Sequence, residues 1–104
     1  MSNKNEFYKV DDVLVSQWGH EQTNTQFFQV VELVGKCSIA LREIGQEKIE
    51  DGFMSGKTKP VINEFISDKI VKKRVSNDGY VKFSSYQFAK KADLSRSYYW
   101  SSYA

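Results

Sequence analysis

The sequence predicts one mostly-β domain, a small antiparallel barrel or a strongly twisted sheet. Three observations predict it. Val, Ile and Phe recur between polar residues at 13–18, 26–34, 37–44, 70–75 and 80–84, in the pattern of half-buried strands. Turn-forming residues separate these runs. A chain of 104 residues, 40% hydrophobic and 14% aromatic, can build one core and is too short for two. An SH3-like barrel is one form such a domain takes. At most one or two short helices fit, at 61–67 or 85–91, which would make the fold α+β.

The chain opens with a polar tail, residues 1–7, that lacks the apolar stretch of a secretory signal. Val13-Leu14-Val15-Ser16-Gln17-Trp18 reads as the first strand. In the second, Phe28, Val30 and Val34 share one face with Glu32, and Phe27, Val31 and Leu33 share the other with Gln29. Both faces are mainly apolar, which predicts a central strand. Gly35-Lys36 makes a tight connection to a third strand, 37–44. There Cys37, Ile39 and Leu41 alternate with Ser38, Ala40 and Arg42, so Cys37 is expected to be a buried structural thiol.

Residues 45–60 hold Gly45, Gly52, Gly56 and Pro60 among charges and read as a mobile loop. Gly52-Phe53-Met54-Ser55-Gly56-Lys57-Thr58 falls one residue short of a phosphate-binding P-loop, and the first glycine position is held by Asp51. Residues 61–70 suit a helix face or a strand equally. Farther on, Ile70–Val75 and Tyr80–Ser84 flank Asn77-Asp78-Gly79. This is a three-residue hairpin connection with Gly79 left-handed. Its register sets Val75 opposite Val81 and Arg74 opposite Lys82, with Lys72 on the same face. Like charges so opposed are destabilising, and an anionic partner would account for them. The final aromatics, Tyr98, Tyr99, Trp100 and Tyr103, predict a packed edge strand.

Charge divides along the chain. Residues 1–56 carry five Lys/Arg against nine Asp/Glu, a balance of −4, and residues 57–104 carry ten against four, a balance of +6. The two halves can attract each other, or they can form separate acidic and basic faces. The basic half mixes bases with aromatics (Lys72, Lys73, Arg74, Tyr80, Lys82, Phe83), as single-strand nucleic-acid binders do. Lys72, Lys73, Arg74 and Lys82 are its candidate contact residues.

Chemistry-bearing clusters are scarce. His20 is the only histidine and Cys37 the only cysteine, so no thiolate cluster, internal disulfide or His/Cys ligand spacing exists. Asp11-Asp12 are adjacent, and neighbours on a strand point to opposite faces. The sequence therefore predicts no enzyme, metal or cofactor, and no stretch is long and apolar enough to span a membrane.

The segment Trp18-Gly19-His20-Glu21-Gln22-Thr23-Asn24 stands out. It spends a large aromatic and the only histidine between two strands, where two to five turn residues would do. Trp18, His20, Glu21, Gln22 and Asn24 are thus candidate contact residues. With its flanks, Asp12–Asn24 followed by Phe27-Phe28-Gln29-Val30-Val31, it resembles a set of small uncharacterised bacteriophage and mobile-element proteins. Those carry Ser-Trp-Gly-Tyr-Asp-Gln-Thr-Asn and then Phe-Tyr-Gln-Val. Gly79-Tyr80-Val81-Lys82 with Ser85-Tyr86 is similar too. His20, Glu21 and Phe28 depart from that pattern. The resemblance implies an accessory protein in the cytoplasm of a bacterial host. Small proteins in that setting often bind and inhibit a host protein or ribonucleoprotein, CRISPR nucleases included. A nucleic-acid-binding module acting through the basic half is the alternative.

Overall fold

The computed structural model describes residues 8–18, 24–35, 37–52, 55–76, 79–83, 87–94 and 97–101. Eight strands form one antiparallel sheet: β1 (Val13–Trp18), β2 (Asn24–Val34), β3 (Ser38–Gly52), β4 (Ser55–Phe65), β5 (Val71–Arg74), β6 (Val81–Lys82), β7 (Phe88–Lys91) and β8 (Tyr98–Ser101). Their order is β6-β7-β1-β2-β3-β4-β8, with β5 added on β3. Among the described residues there is no helix. Residues 61–65 and 88–91 are strand, so the short helices expected at 61–67 and 85–91 are not formed. No helix is long and apolar enough to cross a membrane among the described residues.

β1, β2 and the first half of β3 are covered on both faces. One core holds Tyr8, Leu14, Phe28, Val30, Ile39, Leu41, Val75, Val81 and Ala89. The other holds Val13, Val15, Phe27, Ile44, Ala92 and Tyr98, with Phe65 against it. Strands buried on both sides read as continuous apolar runs, which is why Val13-Leu14-Val15 and Phe27-Phe28 do not alternate with polar residues. β2 is the central strand its sequence predicts, pairing with β1 on one edge and β3 on the other. A bulge between Val30 and Glu32 then shifts its register, and Glu32 and Leu33 beyond it face solvent.

The sheet curls without closing as a continuous barrel. β5 pairs with β3 from Ser38↔Arg74 to Leu41↔Val71, and it meets β6 through one bridge, Val75↔Val81. That bridge has the register the hairpin sequence predicts. Gly79 is left-handed as expected, at φ 89°. Val75 and Val81 are both buried, so the bridge draws β6 and β7 around the first core.

Two expectations are corrected. The expected loop at 45–60 is not formed by its described residues: 45–52 and 55–60 are the outer arms of the β3–β4 hairpin, paired from Gln46↔Pro60 to Gly52↔Ser55. Its glycines serve close approach rather than mobility. Gly45 and Gly56 are buried; a Cβ at Gly45 would overlap the Glu64 side chain, and one at Gly56 would overlap the Ile49 carbonyl. Cys37 is exposed, not buried. The β2–β3 connection takes three residues, 35–37, so Cys37 falls in the turn, one step before the inward alternation of Ile39 and Leu41 begins.

A buried polar side chain on the face of the second core ties the lead-in to β1 to β4. Gln29 is 1% exposed. Its Nε2 donates to Asp11 Oδ1 at 3.0 Å and Asn63 Oδ1 at 2.9 Å, and its Oε1 accepts from the Asn63 N–H at 2.8 Å. Asp11 and Asn63 have φ of 80° and 70°, the left-handed region that Asp and Asn enter at least cost. Gln29 thus holds two unusual backbone turns at once.

Three substitutions test this architecture. Gly56→Ala is expected to lower unfolding free energy by about 1–3 kcal/mol, since rigid backbone blocks the new methyl. Gly45→Ala should cost less, because Glu64 is a flexible chain that can swing away. Urea unfolding of both variants checks the order, and equal tolerance of both would mean 45–60 is unpaired. Gln29→Ala strands the Asn63 N–H and is expected to cost about 2–4 kcal/mol. On a domain this size it should lower Tm by more than about 8 °C in calorimetry.

Candidate contact surface

The structure separates the candidate residues into three groups. Trp18 and Asn24 are the last pair of the β1–β2 ladder. The connection is therefore residues 19–23, an ordinary hairpin length, and its apparent excess came from reading two strand ends as loop. Trp18 is half-buried. His20, Glu21 and Gln22 lie outside the described residues.

Lys72, Arg74 and Lys82 form the second group. All three are exposed, while Val75 and Val81 between them point into the core. Alternation along β5 and across the Val75↔Val81 bridge puts the three bases on the outer face of the curled sheet. Lys73 is the third case. It pairs with Ile39, is half-buried, and holds its Nζ 5.5 Å from the centre of the Phe83 ring. A cation over a ring is favourable, and Phe83 itself stacks on Phe28 at 5.0 Å. Lys73 and Phe83 therefore support the first core and leave the basic face.

Two residues that the sequence did not single out, Phe88 and Lys90, extend that face beside Tyr80. Lys82 pairs with Phe88, so the two share a side of the sheet; Phe88 and Lys90 alternate with buried Ala89; and Lys90 pairs with Val15. An open groove of about 480 Å³ lies over the paired strands β1 and β7, lined by Val15, Gln17, Tyr80, Phe88, Ala89 and Lys90. Tyr80 and Phe88 are 45% and 48% exposed, although both are large apolar groups. The signal for Phe88 and Lys90 was the alternation Phe88-Ala89-Lys90 around one small residue. Four residues are too few for that period to stand out from a helix turn.

The groove wall is held from behind. Ser76 Oγ donates to the Tyr80 carbonyl at 2.9 Å and accepts the Tyr80 N–H at 3.2 Å. The Tyr8 hydroxyl donates to the Gly79 carbonyl at 2.6 Å. Tyr8 is buried, and burial first, then the nearby Asp12 carboxylate, pushes its pKa from 10.0 up to about 12. The other wall is pinned by the C-terminal strand. Gln17 Nε2 and Thr25 Oγ1 donate to the Tyr99 carbonyl at 2.8 and 2.9 Å, and Tyr98 meets the Phe27 ring edge-on at 5.8 Å.

Among the described residues the bases on this surface have no ion-pair partners. Among the described residues the ion pairs are Arg42–Asp68 at 3.4 Å and Lys91–Asp12 at 3.3 Å. Neither involves Lys72, Arg74, Lys82 or Lys90. Among the described residues, no three His, Cys, Asp or Glu side chains converge on a point that could hold a metal ion. Scans against protein-family models, curated proteins and solved structures find no match.

The latch behind Tyr80 has a pH signature. The folded chain holds the Tyr8 proton more tightly than the unfolded chain does. Its contribution is complete below pH 10 and is lost as pH rises towards about 12, because the unfolded state ionises first. Tyr8→Phe is expected to lose roughly 1–2 kcal/mol at neutral pH by stranding the Gly79 carbonyl. It should also flatten the alkaline fall in stability relative to the parent. Chemical unfolding at stepped alkaline pH measures both effects, and parallel curves would mean Tyr8 titrates normally.

Proposed function

We propose that the chain is a non-enzymatic binding module that contacts nucleic acid through the outer face of β5, β6 and β7. One observation carries the reading: Lys72, Arg74, Lys82 and Lys90 stand exposed on neighbouring strands, without ion-pair partners among the described residues. Like charges crowded on one face repel, and a polyanion relieves the repulsion while releasing its own counterions. The opposite charges of the two halves do not neutralise this face. Of the two ion pairs among the described residues, only Lys91–Asp12 joins a base of the second half to an acid of the first.

A second reading follows from the phage and mobile-element resemblance: an accessory protein of the bacterial cytoplasm that binds and inhibits a host protein or nucleoprotein. What favours it is the apolar stretch from the second half of β4 to the start of β5, where Val61, Ile62, Ile66 and Ile70 are all exposed. Apolar exposure of that kind suits a protein partner better than a polyanion.

Salt dependence tests the first reading. Each phosphate contact contributes roughly 0.7–0.9 to the slope of log affinity against log salt. Replacing Lys72, Arg74 and Lys82 together with Gln is expected to flatten that slope by about 2 and to weaken binding at low salt. Each change should shift stability by under about 0.5 kcal/mol. Fluorescence anisotropy with labelled oligonucleotides over a salt series measures it. An unchanged slope would leave the basic face as solvated surface and shift weight to a protein partner.

A further inference from the structure

We infer that the groove over β1 and β7 accepts a single nucleic-acid strand, its bases stacked on Tyr80 and Phe88 and its phosphates against Lys82 and Lys90. The inference rests on the nucleic-acid reading above and narrows it to a strandedness and a stacking site. Three features point there. First, Tyr80 and Phe88 are about half exposed, whereas Phe83, the neighbouring aromatic, turns inward onto Phe28. The fold had an inward route for an aromatic here and kept two outside.

Second, the two rings lie among bases. Phe88 is paired with Lys82 and stands two residues from Lys90, and both lysines are exposed without ion-pair partners among the described residues. Alternating rings and cations match the repeat of a strand, whose bases offer faces and whose backbone offers charge. A duplex hides its base faces in its own stack and offers the rings nothing. Third, the site is built before any ligand arrives. Ser76, the left-handed Gly79 and the Tyr8 hydroxyl fix the backbone at Tyr80, and the β1–β7 ladder fixes Phe88 and Lys90. A pre-ordered ring loses little freedom on stacking.

The test is anisotropy of the full-length chain with labelled oligothymidylate and with a labelled duplex of the same length. Single-strand affinity is expected to exceed duplex affinity by about tenfold or more, since stacking on aromatic side chains adds to the shared charge attraction. Phe88→Leu keeps apolar bulk and removes the ring; Tyr80→Ala removes the other ring. Each is expected to lower single-strand affinity by about 5- to 100-fold while leaving duplex affinity and the salt slope as they were. Phe88→Trp should retain single-strand binding, which guards against a variant that merely misfolds. If strand and duplex bind equally, or folded Phe88→Leu and Tyr80→Ala bind the strand like the parent, the groove is no stacking site, and the electrostatic reading survives alone. If the parent binds neither probe at any salt concentration, both readings fall together.

Discussion

The fold turns on a bend in β3. This strand has to serve two partners on one edge, β5 along Ser38–Leu41 and β4 from Ile44 onward. The change happens where the β3–β4 register shifts between Ile44 and Gln46, around buried Gly45. A side chain there would run into Glu64 on the facing strand. With glycine at that point, the first half of β3 curls with β2 and β5 around one core, and the second half runs outward with β4 and β8. The extended half has little core to hold it. Its free edge carries Glu47, Lys48 and Glu50 around Ile49, charges that discourage another strand from adding on.

The same curl assembles the contact surface. β5, β6 and β7 come from separate stretches of the chain and become neighbours because β5 leans on β3, β7 leans on β1, and a single bridge of two buried valines joins β5 to β6. Each inward residue of these short strands has an outward neighbour, and the outward neighbours are Lys72, Arg74, Lys82, Phe88 and Lys90. Burial of Val75, Val81 and Ala89 therefore dictates where the bases stand. Lys73, one step out of phase, demonstrates the rule: its stem packs inward and its ammonium ends over Phe83.

How far the sequence could be read follows from the same physics. β1, β2 and the start of β3 were legible because burial imposes a pattern on every residue, and the β5–β6 hairpin was legible because Gly79 and two valines leave one sensible register. The arm at 45–60 was not. Both of its faces are largely wet, so no apolar alternation marks it, and glycines that admit a close strand look like glycines that loosen a loop. The pairings β7 with β1, β5 with β3 and β8 with β4 join distant segments, and no local signal announces them. Phe88 and Lys90 gained their meaning only from those pairings. Trp18 and Asn24 lost some of theirs for the same reason, since a ladder partner explains a residue that otherwise invited a functional account.

The energetic logic of the basic face argues for a polyanion over a simple solvated surface. An exposed lysine beside an arginine is tolerable when acids interleave with them, and this chain has acids to spare in its first half. The sheet could have brought one across: Ser38, the β3 residue paired with Arg74, occupies a partly exposed position where a carboxylate would meet the base directly. Ala40, paired with Lys72, is by contrast fully buried and excludes a charge. The position opposite Arg74 holds a small uncharged residue. On β7, the residue paired with Lys82 is Phe88, again uncharged. An opposite charge across from Arg74 or Lys82 would stabilise the pair by roughly 0.2–1 kcal/mol. Its absence at both positions, with two rings left in water beside them, is coherent for a surface that meets its counter-charge in a partner.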